Sequence, residues 1–304
     1  MRLLTRSDFD GLACGTLLKA LGLIDSWKFV HPKDLQDGLI EITDNDILCN
    51  VPYAEGCKMW FDHHSSEGLR VGLGKNVDGD SRIAPSCARV VYEYYDGDKT
   101  LKNFSEMIEY VDRVDYGRLT ADEIQNPEGW ILLGFLMDPR TGLGRFRDFS
   151  ISNYELMEQL MEDCRTKSID EIMALPDVLE RVELYHEQDK LFKEMLLKYT
   201  RQDANVLITD LRGVDTIYTG NRFLIYSLFP EANISVWIVD GRGKINCAIA
   251  VGHSILNRTS KTNVGKLMLE NGGGGHPQVG TCQVPYDDAD RVLNSLVATM
   301  KADG

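Results

Sequence analysis

In Lys58-Met59-Trp60-Phe61-Asp62-His63-His64, an apolar stretch runs directly into an acid and two imidazoles. The first four residues make a strand candidate, so Asp62, His63 and His64 emerge where a buried strand would end. In an α/β sheet, ligands and metals gather in the crevice beyond the carboxyl ends of the strands. Carboxylate oxygen together with imidazole nitrogen suits divalent ions such as Mn²⁺, Mg²⁺ or Zn²⁺. The competing reading is a partly buried polar turn.

A second acidic pair lies near the amino terminus. Met1 to Leu4 reads as a short strand, Asp8-Phe9-Asp10-Gly11 follows, and a helical pattern runs from Leu12 to Leu23. Strand, acidic turn and helix open a βαβ unit. Alternation puts Asp8 and Asp10 on one side, where both could address one ion or one phosphate, and Gly11 permits close backbone approach. Helix capping is the plainer account. It explains one aspartate more readily than two flanking a phenylalanine.

The third segment is Asn271-Gly272-Gly273-Gly274-Gly275-His276-Pro277, between a helical pattern at Val264 to Leu269 and a strand candidate at Val279 to Val284. Successive glycines let backbone N–H groups turn inward as an anion-binding nest, to which His276 adds a side-chain donor. A flexible linker is the commoner fate of a glycine run, but ordered-looking flanks and the terminal His-Pro argue against it here.

Taken together, these segments resemble the DHH phosphoesterase superfamily. Its members include single-strand exonucleases, oligoribonucleases, cyclic-dinucleotide phosphodiesterases, exopolyphosphatases and family II inorganic pyrophosphatases. Asp8-Phe9-Asp10-Gly11 looks like its first motif, and Asp62-His63-His64 is the triplet that names it. Ala84-Pro85-Ser86-Cys87-Ala88 resembles the small-residue helix start that follows, and Gly272 to His276 resembles the signature of the DHH-associated carboxy-terminal domain.

Composition agrees with this. A chain of 304 residues, 43% apolar, has room for two domains with proper cores. No apolar run approaches a membrane span, and Arg6, Asp8 and Asp10 interrupt any signal-peptide pattern. Seven cysteines without zinc-type spacing suggest free thiols in a reducing cytoplasm. With 33 basic against 47 acidic residues and a net charge of −14, long nucleic acid is an unfavourable partner, because such binding depends on basic surface that displaces counterions. A small phosphorylated substrate or a short oligonucleotide in a locally positive, metal-bearing site remains compatible, as does a homodimer.

Strand candidates at Trp27–Val30, Ile47–Cys49 and Lys58–Phe61 alternate with helical stretches, as a mainly parallel sheet requires. The pattern is almost wholly helical from Ile151 to Thr200, with Pro176 opening a long amphipathic segment, Asp177 to Leu197. Strand patterns resume at Asn205–Thr209, Ile234–Val239 and Ile245–Val251, with helices at Arg222–Leu228 and Asp287–Met300. The expected architecture is α/β. A DHH phosphoesterase domain with a mainly parallel sheet spans residues 1–175, a helical connector 176–200, and a smaller mixed α/β substrate-binding domain 201–304.

The resemblance implies two close divalent ions that polarise a phosphorus centre and activate water. Carried over residue by residue, Asp62, His63 and His64 form the catalytic triplet. Asp8, Asp10 and His63 would be metal ligands, while His64 and His276 would hold substrate beside Gly273, Gly274 and Gly275. The last acidic ligand should come from Tyr110-Val111-Asp112-Arg113-Val114-Asp115, where Asp112 is preferred to Asp115; pairing with Arg113 or Arg118 is the alternative for either. Gly252-His253-Ser254-Ile255-Leu256-Asn257-Arg258 resembles the segment whose arginine grips a terminal phosphate, so Arg258 is the candidate, ahead of His253.

Two departures bear on mechanism. Many members carry a histidine just before the two acids, but here none occurs before His31, and Arg6 stands nearby. Where a strand should end in a metal-bridging aspartate, Asp46-Ile47-Leu48-Cys49 ends in Asn50, whose amide carries no charge. Both changes weaken the same half of a two-metal site. We therefore expect one ion, Mn²⁺ or Mg²⁺, held by Asp10, His63 and Asp112, with Arg6 partly replacing the second as a clamp on phosphate. A dinuclear site bridged by Asp8 is the other arrangement.

The function expected is metal-dependent hydrolysis of short phosphate chains, as in an exopolyphosphatase, or of very short oligonucleotides. A non-hydrolytic phosphate- or nucleotide-binding protein with a degenerate metal site is the alternative, and a scaffold on a degenerate fold a third. Keeping Asp8, Asp10, Asp62, His63, His64 and His276 argues against a pure scaffold.

Overall fold

The structure, a computed structural model, describes residues 1–64 and 77–304. Two compact units emerge, one of Met1–Arg118 with Pro127–Tyr185 and one of Leu119–Asn126 with His186–Gly304. The helix Pro176–Tyr199, expected as a connector, is continuous, and the change of unit falls inside it.

In the first unit, β1 (Arg2–Thr5), β2 (Ser26–Phe29), β3 (Asp46–Cys49), β4 (Met59–Asp62) and β5 (Asp78–Ser81) form a parallel sheet in the order β2-β1-β3-β4-β5. The central strands are short unbroken apolar runs because both faces are covered; Leu3, Leu4, Ile47, Leu48 and Phe61 are fully buried. Asp46, also buried, is paired by Arg2 through Nε at 2.7 Å and Nη2 at 2.8 Å. Strand order reverses between β1 and β3, and that reversal opens a crevice at their carboxyl ends.

The first helix spans Phe9–Ala20, starting and ending three residues earlier than the sequence pattern suggested. Asp8 is its N-cap and accepts the Gly11 N–H at 2.9 Å. Asp10 therefore stands in the first helical turn rather than on an alternating strand. The capping account holds for Asp8, and it is the helix that turns Asp10 to its partners. Helix Cys87–Tyr94 starts from a Ser86 cap. Helix Ser105–Asp115 is amphipathic, and helix Gly129–Met137 is apolar on every side and buried from Trp130 to Met137. Arg181, fully buried, has its donors taken by Asn153 Oδ1 and the carbonyls of Asp177 and Ile151.

The second unit holds a mixed sheet of six strands: β6 (Thr200–Asp203), β7 (Val206–Asp210), β8 (Ile234–Asp240), β9 (Asn246–His253), β10 (Gly274–His276) and β11 (Val279–Pro285), in the order β10-β11-β9-β8-β7-β6. Only β7 and β8 pair in parallel. Its core joins Val236, Ile249 and Val251 to Leu293, Leu296 and Met300 of the last helix, Ala289–Asp303. Ile245 lies outside β9 and is 80% exposed. The short helix runs Leu224–Leu228, because Asn221 turns its side chain back to the Phe223 N–H just before it.

The glycine run also differs from expectation. Gly274–His276 is an edge strand antiparallel to Val279–Thr281 rather than part of an open nest. Side chains are excluded by packing: a Cβ on Gly273 would lie 2.0 Å from the Thr281 carbonyl oxygen, and one on Gly275 2.2 Å from that of Val279. Among the described residues, no helix is long and apolar enough to cross a membrane.

Candidate active site

Three strand ends supply the site in the first unit. Residues after β1 bring Arg6, Asp8 and Asp10, the end of β3 brings Asn50, and β4 ends in Asp62 with His63 and His64 beyond it. Helix Cys87–Tyr94 points its amino terminus at Asp10, whose Oδ1 accepts the Ala88 N–H at 2.7 Å and whose Oδ2 accepts the Cys87 N–H at 2.9 Å. Burial nonetheless dominates, and it pushes the Asp10 carboxyl up to about 7.

His63 Nδ1 lies 3.2 Å from the Ala84 carbonyl. A carbonyl can only accept, so Nδ1 carries the proton and Nε2 is directed to the acids. Nε2 is 3.7 Å from Asp10 Oδ2 and 3.4 Å from Asp115 Oδ2. A backbone carbonyl fixing the ring tautomer behind a metal-ligating nitrogen is a recurrent arrangement. A lone pair aimed at two carboxylates is repulsive unless a proton or a cation lies among them. Asp10, His63 and Asp115 offer one nitrogen and two oxygen donors within 4.8 Å of one another, a set that fits Mn²⁺ or Mg²⁺.

Of the two candidate aspartates on helix Ser105–Asp115, Asp112 is engaged elsewhere. Its Oδ1 accepts from Ser86 Oγ at 2.6 Å, and its Oδ2 accepts from Arg89 Nε at 2.8 Å. Asp112, the preferred ligand from sequence, is thus paired with Arg89 rather than with Arg113 or Arg118 of the alternative reading, and the acid beside His63 is Asp115, one helical turn on.

Asp8 is enclosed. Its Oδ1 accepts from Gly11 N and, at 3.1 Å, from Asn50 Nδ2, while Arg6 Nε lies 3.2 Å from its Oδ2. Burial raises its carboxyl above the usual range, with Arg6 opposing. Asn50 has φ +57, a left-handed conformation that asparagine tolerates better than most residues. Asp62 is fully buried and holds His64, with Nδ1 2.8 Å from Oδ1. Burial alone would lower the His64 pKa, but the hydrogen bond and charge of Asp62 raise it further than burial lowers it.

Sequence reasoning missed Asp138 and Arg140, which line the same hollow as Asp8, Asp10 and Asp115. The available signal was Asp138-Pro139-Arg140 breaking the unrelieved apolar run before it. Beneath the site, the Cys14, Cys49 and Cys87 sulfurs lie within 4.8 Å of one another. Burial raises all three thiols well above their ordinary range, so they remain protonated core groups.

The other expected substrate residues belong to the second unit. Arg258 Nε donates to the Ile255 carbonyl at 3.0 Å, and His253 Nε2 lies 2.9 Å from the Thr262 carbonyl, so His253 is a hydrogen-bonded structural residue. Gly273 precedes β10, and Gly274, Gly275 and His276 form it.

The chain is similar along its whole length to the pGpG-specific phosphodiesterase PggH from Vibrio cholerae, at 49% identity and a TM-score of 0.86, covering 100% of this chain and 99% of that one. At the level of fold it also resembles the DHH domain PF0399, described as a member of the s1p family of ribosomal proteins, with a TM-score of 0.56, 11% identity, and 99% and 86% of the two chains covered. RecJ from Thermus thermophilus, solved in complex with Mn²⁺, gives a TM-score of 0.50 at 12% identity over 98% of this chain and 52% of that one. No protein-family model and no curated protein sequence matches the chain.

Proposed function

The chain belongs to the DHH phosphoesterase superfamily and is a phosphoester hydrolase, and we propose that it is a divalent-metal-dependent phosphodiesterase that cleaves a 5′-phosphorylated diribonucleotide such as pGpG. The observation that carries this reading is the Asp10–His63–Asp115 triangle at the carboxyl end of the parallel sheet, in a chain half identical to a pGpG-specific phosphodiesterase. A net charge of −14 fits a substrate of two nucleotides better than a polymer. The seven free cysteines fit a reducing cytoplasm.

We assign Asp10, His63 and Asp115 as the ligands of one Mn²⁺ or Mg²⁺. That ion, when bound, supplies Lewis acidity at a phosphoryl oxygen and makes water a better nucleophile. The chain's own residues do the rest. Asp62 holds the His64 ring so that its outward nitrogen can donate to a phosphate oxygen. Arg6, anchored on Asp8 through Nε, presents fixed positive charge on the side where Asn50 replaces a carboxylate. In the second unit, Arg258, Gly273, Gly274, Gly275 and His276 are assigned as phosphate-binding residues.

The test is turnover of pGpG, longer ribonucleotides and short-chain polyphosphate with Mn²⁺, alongside His63→Ala. Preferential cleavage of pGpG that falls at least roughly 1,000-fold in the variant supports the proposal. Polyphosphate as the preferred substrate would restore the exopolyphosphatase reading. Ligand-induced stabilisation without turnover would favour a binding protein.

A further inference from the structure

We propose that Arg140 is a catalytic residue that grips the reacting phosphate through both Nη groups; this rests on the phosphodiesterase reading above. Arg140 lies on the single 3₁₀ turn Pro139–Thr141, directly after helix Gly129–Met137. Asp138 caps that turn, accepting the Arg140 backbone N–H at 2.8 Å. The same carboxylate takes Arg140 Nε at 2.7 Å. One acid therefore fixes both the backbone and the root of the guanidinium. Among the described residues, neither Nη group has a hydrogen-bond partner. The side chain is 45% exposed, against 10% for Asp138, so it is open to a ligand while its anchor is not.

Its location gives those donors a purpose. Arg140 lines the same hollow as Asp8, Asp10 and Asp115, where an anionic ester must approach acidic groups. Asp138 takes Nε with both carboxylate oxygens, at 2.7 and 3.1 Å, which leaves the Nη donors for a ligand. Two parallel N–H groups on a rigid plane match two phosphate oxygens, which a lysine cannot reproduce. During hydrolysis the water oxygen bonds to phosphorus, the bond to the ribose oxygen breaks, the water loses a proton and the leaving oxygen gains one. Negative charge builds on the phosphoryl oxygens meanwhile, and preorganised donors act where charge develops. With Asn50 in place of a carboxylate, Arg6 and Arg140 supply fixed positive charge around Asp8.

Arg140→Ala, Arg140→Lys and Asp138→Asn in the full chain test this, with pGpG kinetics and with calorimetric affinities for Mn²⁺ and for inorganic phosphate. Arg140→Ala should lower kcat by roughly 100-fold or more and weaken phosphate binding about 10-fold, with Mn²⁺ affinity within about threefold of wild type. Arg140→Lys should recover little of either. Asp138→Asn, which removes a positioning residue, should lower kcat about 10-fold, with the fork present but poorly aimed. Wild-type kcat and phosphate affinity in Arg140→Ala would overturn the proposal; should that variant not fold, the same result in Arg140→Lys would do so. If the wild type cleaves no diribonucleotide, the function reading fails, and phosphate affinity alone still decides the role of Arg140.

Discussion

Asn50 Nδ2 donates to Asp8 Oδ1 at 3.1 Å, with both side chains buried at the switch point of the sheet. The amide satisfies a carboxylate that would otherwise be available to a cation, and Arg6 satisfies its other oxygen. In the one-ion reading proposed above, these hydrogen bonds and the charge of Arg6 stand in for a second cation beside Asp8, and Asp10 and His63 face the ion.

Asn50→Asp should reverse this. The donor to Asp8 is lost and two buried acids face one another, so the metal-free protein should lose about 1–3 kcal/mol of stability. Mn²⁺ stoichiometry by calorimetry should rise from one to two per chain. A stoichiometry still at one would show that Arg6, rather than Asn50, excludes the second ion.

Asp115→Asn and Asp112→Asn should separate cleanly. The first removes an oxygen donor beside His63 and should weaken Mn²⁺ binding roughly 10- to 100-fold with little change in melting temperature. The second breaks the pairing with Arg89 and Ser86 and should cost about 1–3 kcal/mol of stability, with metal affinity nearly intact. The reverse pattern would make Asp112 the ligand.

Burial pushes the Asp10 carboxyl up to about 7 in the metal-free protein, against about 4 in an unfolded chain. Between those values the folded state binds more protons, so its stability falls as pH rises. Metal binding must displace that proton. Thermal stabilisation by a fixed Mn²⁺ concentration should therefore grow from pH 5.5 to 7.5 and level off above. A pH-independent shift would place the ion away from Asp10.

Burial lowers the His64 pKa, but the hydrogen bond and charge of Asp62 raise it further, leaving it above the ordinary histidine value. If the protonated ring grips phosphate, pGpG turnover should decline on the alkaline side as that proton is lost. Asp62→Asn should move the decline to lower pH. An unmoved alkaline limb would remove His64 from that role.

Gly11→Ala should unfold the site locally. A Cβ there would lie 2.1 Å from the Arg6 carbonyl oxygen, and neither backbone segment can yield without displacing Asp8. We expect a loss of about 2 kcal/mol or more, read as a lowered melting temperature, with pGpG turnover lost even where the chain remains folded.

What the sequence by itself determined was local. Asp62-His63-His64 could be read because the three residues are contiguous and follow an apolar strand, and strand period and burial act over a few neighbours. Asp8 and Asp10 were legible for the same reason, although the helix began earlier because Asp8 caps it. The choice between Asp112 and Asp115 was not, since it depends on Ser86 and Arg89, more than twenty residues away, claiming one of them. Arg140 was hidden because its importance lies in which acids share its hollow. The glycine run looked like a nest until strand pairing showed that its missing side chains make room for backbone. Charge and hydrogen-bond partners come from across the fold, so tertiary structure alone decided which acids are neutralised and which remain open to a ligand.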